Sequence, residues 1–425
     1  MEIAGEVLAR LADPASIFDP DRAPSVDCLD SDGKTVALRD TVSYESGACG
    51  VLLLATLLDD REVAREYSRW IEGQLTTALN HKMPGALNAL LGADIAAHLS
   101  PPDSGMARLA MRTRNLLHKK TDFEIASLER SIGSGRGSPG FWASDVLAGL
   151  GRSLIILTNS TDKESSDRIT RGADVLRRLL VPDREGMVGY VAGPPFYGRA
   201  GDDLESHWNL GFAHGSSGIA FALVRVGEFL RRENRSSEEV RISVRNYCDW
   251  IHARFDELEV PMYAHDLDGS PRFVSNGAIP SWCYGTTGHS LLMFAAGNFL
   301  EDSSIINRGI EGALLSTERV ESLADYSLCH GLAGVLAMIT AGRAVSDDSR
   351  LERAQKLVRD RIVASFSTQS RYGFDYTPPG IAAPSPVPGL LNGAAGVAAA
   401  LWQSNSRTST VDGTPWLCAP RVAFS

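Results

Sequence analysis

The chain has 425 residues, 44% of them hydrophobic, and a formal net charge of −10. That apolar content can fill one large repeat-built domain or about two to three ordinary ones. The acidic balance speaks against a nucleic-acid binder, which would present a basic face, and six cysteines over this length are too sparse for a disulfide-built scaffold.

At the N-terminus, Glu2, Glu6 and the absence of a long apolar core are unlike a signal peptide. The longest apolar run, Ala48 to Leu58, is too short to span a bilayer and is interrupted by Gly50. A cytoplasmic protein without a membrane span is expected. Val63, Tyr67, Trp70, Ile71 and Leu75 then recur at helical spacing among charged residues, the stripe of an amphipathic helix. From Gly105 to Lys120 come Arg108, Arg112, Arg114, Lys119 and Lys120 with no acidic residue. In an acidic chain this marks either a solvated helix face or, within 101–140, a docking segment for an acidic peptide. Asn159–Arg171 and Gly198–His207 read as irregular. Val240, Val244, Tyr247 and Ile251 form a second stripe, with Ser236 and Ser237 as candidate N-caps. Gly269–Gly277 reads as a loop, and the prolines from Pro378 to Pro388 forbid a continuous helix there.

A Gly-x-x-Gly pair followed by an apolar run recurs at Gly47/Gly50, Gly215/Gly218, Gly285/Gly288, Gly331/Gly334 and Gly393/Gly396, with a degenerate copy at Gly149/Gly151. From Gly149 onward the copies start about 46 to 70 residues apart, the length of a helical hairpin with its loops. The runs after the glycines, such as Ile219–Leu223, Ser290–Ala296, Val335–Thr340 and Val397–Trp402, are apolar nearly all round. Such helices are buried on every side. Buried helices alternating with amphipathic ones describe an all-α, double-layered α/α toroid, a single domain over 1–425. Strand-like alternation is scarce.

In most copies the glycines serve packing alone. Chemistry is indicated where other residues are inserted beside them. Cys283 lies in Ser281-Trp282-Cys283-Tyr284-Gly285, and Cys329 and His330 in Leu328-Cys329-His330-Gly331. Two thiolates and an imidazole suit Zn²⁺, and three protein ligands leave a tetrahedral position open, as a catalytic rather than a structural zinc requires. Zinc with two thiolates and one neutral imidazole is near neutral in charge. A third, substrate thiolate then keeps its nucleophilicity, which favours S–C bond formation over hydrolysis. His214, in His214-Gly215-Ser216-Ser217-Gly218, occupies the equivalent place in its own repeat. Histidine is suited to proton transfer near neutral pH.

Ala213-His214-Gly215, Trp282-Cys283-Tyr284-Gly285 and Cys329-His330-Gly331, in that order, resemble the three signatures of the lanthionine synthetase C-like family, the lanthipeptide cyclases. Weaker similarity in glycine placement extends from about Gly47 to Gly396. The resemblance implies an α/α toroid and a zinc-dependent addition of peptide cysteines to dehydroalanine or dehydrobutyrine, which closes (methyl)lanthionine rings. It implies Cys283, Cys329 and His330 as zinc ligands and His214 as proton donor. Asp145 would orient or share protons with His214, and the Tyr284 hydroxyl would lie near the substrate enolate. The partners implied are a dehydrated precursor peptide and a separate dehydratase, in a biosynthetic complex. Arg108, Arg112 and Arg114 would then dock the leader segment. One departure is Ile279, where some members of the family carry an arginine four residues before the first cysteine ligand; Arg272 is a candidate replacement.

Competing readings are a non-catalytic thiol- or peptide-binding scaffold of the same family, and another zinc thiol alkylase on an α/α barrel, such as a prenyltransferase subunit. The latter would need an aromatic-lined lipid pocket, and aromatic residues are only 7% of the chain. A glycosidase on such a barrel would need paired carboxylates and no cysteines.

Overall fold

The computed structural model describes residues 2–18, 26–29, 35–38, 43, 45–80, 107–133, 144–147, 149–160, 162–183, 186–189, 191–192, 207–255, 259–267, 270–274, 280–323, 325–377 and 383–405. The chain divides into two compact units. One comprises Met1–Leu117, Leu323–Thr340 and Glu352–Ser425; the other comprises His118–Ser322 and Ala341–Leu351.

In the second unit three helices are buried along nearly their whole length: Leu150–Leu157, the first twelve residues of Ser216–Arg232, and Thr286–Leu300. They pack on one another in sequence order. Each also packs against the helix that follows it in the chain: Lys163–Leu179, Glu238–Arg254 and Ser303–Glu318 respectively. These followers are amphipathic. In Glu238–Arg254 only Val240, Val244, Tyr247, Cys248 and Ile251 are buried, which includes all four residues of the stripe read from the sequence. An apolar run without a polar face has to be enclosed, while a helix with one stripe needs only one partner. That difference sorts the inner helices from the outer ones.

The first unit follows the same rule. Ala48–Leu57 is buried throughout and packs against Arg61–Asn80, where Val63, Tyr67 and Ile71 are buried and Trp70 is half-buried. Ala394–Asn405 packs against Ala48–Leu57 and against Glu2–Arg10.

The glycine pairs have a common geometric cause. A Cβ on the second glycine would lie 2.1 Å from the Phe212 carbonyl oxygen at Gly218, 2.2 Å from that of Trp282 at Gly288, and 1.8 Å from that of Leu390 at Gly396. In each copy the loop folds back over the first turn of the helix, six residues on, and only hydrogen fits beneath it. Under two of these loops Phe212 packs edge-on against Phe221 and Trp282, with ring centroids 5.0 and 5.4 Å away.

Three sequence expectations are corrected. Residues Lys163–Leu179 are helical although Asn159–Arg171 reads as irregular. Asp162 caps the helix by accepting from the Ser165 N–H at 2.7 Å, and Ile169, Ala173, Leu176 and Leu179 make its buried stripe. Ser237 occupies the N-cap position of Glu238–Arg254 without a side-chain cap bond, and Ser236 Oγ accepts only a long 3.4 Å bond from the Glu238 N–H. Strand is also present. Val191–Ala192, His207–Asn209, Tyr263–Leu267 and Ser270–Val274 form an antiparallel sheet in that order, and Val26–Leu29 pairs with Thr35–Leu38. Arg272 therefore sits in a strand opposite His265 rather than in a loop. Tyr376, just before the proline-rich stretch, and Ser385, within it, exchange two backbone bonds of 2.8 Å.

Candidate functional site

His214 ends the loop before the helix Ser216–Arg232, and Asp145 ends the loop before Leu150–Leu157. The two loops are joined by the Val146 N–H donating to the Ala213 carbonyl at 3.3 Å. Asp145 is fully buried, and each of its oxygens has its own task. Oδ1 accepts from the backbone N–H groups of Leu147 at 3.1 Å and Gly149 at 2.7 Å, closing the entry to the helix. Oδ2 lies 2.9 Å from His214 Nδ1. A carboxylate oxygen accepting at this distance matches the tautomer that carries the ring proton on Nδ1.

A buried pair stands near Asp145. Lys120 bonds Glu124, whose other oxygen accepts from Ser153 Oγ at 2.9 Å. Burial pushes the Glu124 carboxyl up; the Lys120 charge opposes this, and the neighbouring Asp145 charge adds to it. Lys120 therefore does not belong to an exposed basic face.

The loop bearing Cys283 and Tyr284 is tied to the His214 loop by its own backbone. The Cys283 carbonyl accepts from both Phe212 N–H at 2.9 Å and Ala213 N–H at 3.1 Å. Ser281 Oγ donates to the Tyr284 carbonyl at 2.9 Å and accepts from the Tyr284 N–H at 3.3 Å. The half-buried Tyr284 ring has its centroid 5.8 Å from that of His214. Its hydroxyl accepts from Asn209 Nδ2 at 2.8 Å, while Asn209 Oδ1 accepts from the Gly211 N–H at 3.0 Å. Gly211 has to be glycine here, since a Cβ would lie 2.5 Å from the tyrosine ring.

Cys329 and His330 lie on a tight turn built by Asp325 and Ser327. Asp325 Oδ1 accepts from the Ser327 N–H at 2.9 Å, Ser327 Oγ accepts from the His330 N–H at 3.2 Å, and the Cys329 N–H donates to the Leu391 carbonyl at 3.0 Å. Burial raises the Asp325 carboxyl, and the His330 charge is the largest influence against that rise. His330 Nε2 is 3.7 Å from Cys329 Sγ. Two donors on one tetrahedral zinc, at bonds of roughly 2.0–2.3 Å, would be separated by about 3.5 Å, so the spacing fits. Cys329 and His330 belong to one unit and Cys283 to the other. Two sulfurs with one imidazole nitrogen are a zinc-type donor set.

The described geometry thus brings Asp145, His214 and Tyr284 together in one unit, and Cys329 and His330 together in the other. Arg114 is half-buried on the helix Ala107–Gly133. The side chains of Arg108, Arg112 and Arg272, and the whole of Ile279, lie outside the described residues. Sequence reasoning missed Asn209, Ser281, Asp325 and Ser327. Their only signal is proximity, two to five residues ahead of a motif residue. His289 is buried, and its Nδ1 lies 2.9 Å from Ser217 Oγ. Burial lowers its pKa to about 3, so it is a neutral strut between two helix starts. Among the described residues no helix is long and apolar enough to cross a membrane.

The family model for lanthionine synthetase C-like proteins matches residues 118–416. No curated protein matches the sequence significantly. Among solved structures the chain is similar to nisin cyclase, with a TM-score of 0.64 and 16% identity over 89% of this chain and 92% of that one. At that identity the likeness shows the fold, and the fold is the all-α toroid class. The family match spans all three motif loops and the Asp145 loop, and the chain belongs to the lanthionine synthetase C-like protein family.

Proposed function

We propose that the protein is a zinc-dependent lanthipeptide cyclase. It would join peptide cysteines to dehydroalanine or dehydrobutyrine residues of an already dehydrated precursor and so close (methyl)lanthionine rings. The observation that carries this reading is the Asp145–His214 pair at 2.9 Å in one unit, with the Cys329 Sγ–His330 Nε2 approach of 3.7 Å in the other.

Cys283, Cys329 and His330 would hold the zinc. When bound, it would lower the pKa of the substrate thiol and keep the thiolate at neutral pH. In the reaction the substrate sulfur forms a bond to Cβ, the Cα=Cβ π bond breaks, and its electrons move onto the carbonyl as an enolate. The enolate then takes a proton at Cα. His214 Nε2 is the donor in this account, and Asp145 stabilises the imidazolium through Nδ1–H. The Tyr284 hydroxyl, oriented by Asn209, supplies a hydrogen bond for the enolate oxygen. The loss of a thiol proton and the gain at Cα balance, so no oxidant or reductant is needed.

The same reading takes 1–425 as one cyclase domain working in the cytoplasm. A separate dehydratase supplies the substrate, and Arg108, Arg112 and Arg114 within 101–140 dock an acidic leader. The test is a synthetic peptide carrying one cysteine and one dehydroalanine, incubated with the zinc-loaded protein and then treated with a thiol-alkylating reagent. The reading predicts rapid loss of alkylatable thiol without a change in peptide mass. Thiol persisting at the rate of the protein-free control would overturn it and leave a binding scaffold.

A further inference from the structure

We propose that the groove between the helices Glu238–Arg254 and Ser303–Glu318 binds a small apolar molecule carrying one carboxylate, with Arg308 as its anchor. Nothing in this depends on the zinc site. The groove lies wholly within the second unit and encloses a volume of 630 Å³. Small-molecule sites usually enclose roughly 300–1,000 Å³.

Both helices pack on the inner helix Thr286–Leu300, which contributes Met293 to the lining. Ile251 and Phe255, one turn apart, line the groove from the end of Glu238–Arg254, and Leu314 and Leu315 line it from Ser303–Glu318. Cys248 lines it as well. Burial pushes the Cys248 thiol up to about 12, so it stays protonated and adds one more neutral surface. Walls of this kind suit a hydrocarbon chain or ring.

Arg308 is the exception in this lining. It is half-buried, and its Nη1 is buried with no hydrogen-bond partner among the described residues. A buried donor without an acceptor is costly, and a charged one more so. A carboxylate is the acceptor whose planar geometry matches the guanidinium fork. A phosphate, with more charge, would call for a second cation. Arg350 also lines the groove, but it already pairs with Glu311 at 3.0 Å and Asp348 at 2.8 Å. Glu318 would repel an anion, yet it is exposed and lies ten residues beyond Arg308 on the same helix, about 15 Å along the axis. Leu315 is seven residues from Arg308, about 10 Å. A chain anchored by its carboxylate at Arg308 therefore reaches the apolar walls before it reaches Glu318.

The experiment uses the full-length protein and two probes of equal chain length, octanoate and octanol, in isothermal titration calorimetry. Wild type should bind one octanoate per chain, about 10–100-fold more tightly than octanol, the weight of a charged hydrogen bond. Arg308→Met should bring octanoate down to the affinity of octanol and leave octanol binding unchanged. Leu315→Trp, which fills the groove, should abolish both. Equal affinity of wild type for the two probes overturns the proposal. So does octanoate binding that is unchanged in Arg308→Met, or a wild type that binds neither probe. Should a variant not fold, photolabelling of wild type with a diazirine-bearing octanoate decides. Label on Ile251, Phe255, Leu314 or Leu315 supports the groove, and label confined to other residues overturns it.

Discussion

The Asp145–His214 region and the Cys329–His330 turn are built on the same scheme, a loop entering a buried helix, yet they are finished differently. Around His214 the protein's own bonds complete the constellation: Asp145 spends both oxygens, Asn209 holds Tyr284, and the Cys283 carbonyl takes two N–H groups. Around Cys329 the backbone is just as firmly held, but the Cys329 Sγ and His330 Nε2 donors approach to 3.7 Å. On the proposed reading the first region moves a proton, and the second supplies a sulfur and a nitrogen donor to a metal. Preorganised proton transfer and metal binding should therefore fail separately.

The largest expected effect comes from removing the metal. A strong chelator should bring ring closure down to the protein-free rate, and added zinc should restore it, with the helical circular dichroism unchanged throughout. Activity surviving exhaustive chelation would erase the distinction between the two regions.

His214→Asn should cost on the order of 10²–10⁴-fold in ring closure, the range for a general acid–base residue, and zinc content should stay at the wild-type level. Loss of zinc in this variant would mean the regions are not separable.

These residues were legible because their chemistry is inserted at repeating positions. Cys283, Cys329, His330 and His214 stand beside glycine pairs that otherwise serve packing, and Asp145 lies four residues ahead of Gly149 in the degenerate copy. Residue type alone would have failed. Cys248 is also buried, but burial pushes its thiol up to about 12 and it lies in the stripe of an outer helix. The inner and outer helices were legible from apolar periodicity. The sheet was not. His207–Asn209 and Val191–Ala192 are too short for alternation to register, and Ser270–Val274 begins beside Gly269 and contains Pro271, which locally suggest a loop. Asn209 and Asp325 were missed because their roles arise from turns that bring them back onto a motif residue.

Two smaller effects sharpen the comparison. Tyr284→Phe removes the hydroxyl that Asn209 orients but leaves the ring against Gly211, so turnover should fall roughly 10-fold, the weight of one ~1.4 kcal/mol hydrogen bond. A collapse as deep as that of His214→Asn would make Tyr284 the proton donor. His289 tests the framework under the first region. Its folded pKa of about 3 lies below the ordinary 6.5, so its share of stability is fully present above pH 6.5 and is lost as pH falls toward 3. In that window the unfolded chain takes up the proton and the folded one does not. His289→Gln should flatten the acid limb of chemical-denaturation stability by up to ~1.4 kcal/mol per pH unit, and an unchanged slope would contradict the buried neutral assignment.

The most direct test of the central claim is zinc content by elemental mass spectrometry in wild type and in Cys283→Ala, Cys329→Ala and His330→Ala. The account predicts about one zinc per chain in wild type and a clear loss in each variant, with helical content preserved. Full zinc occupancy in Cys329→Ala would contradict it.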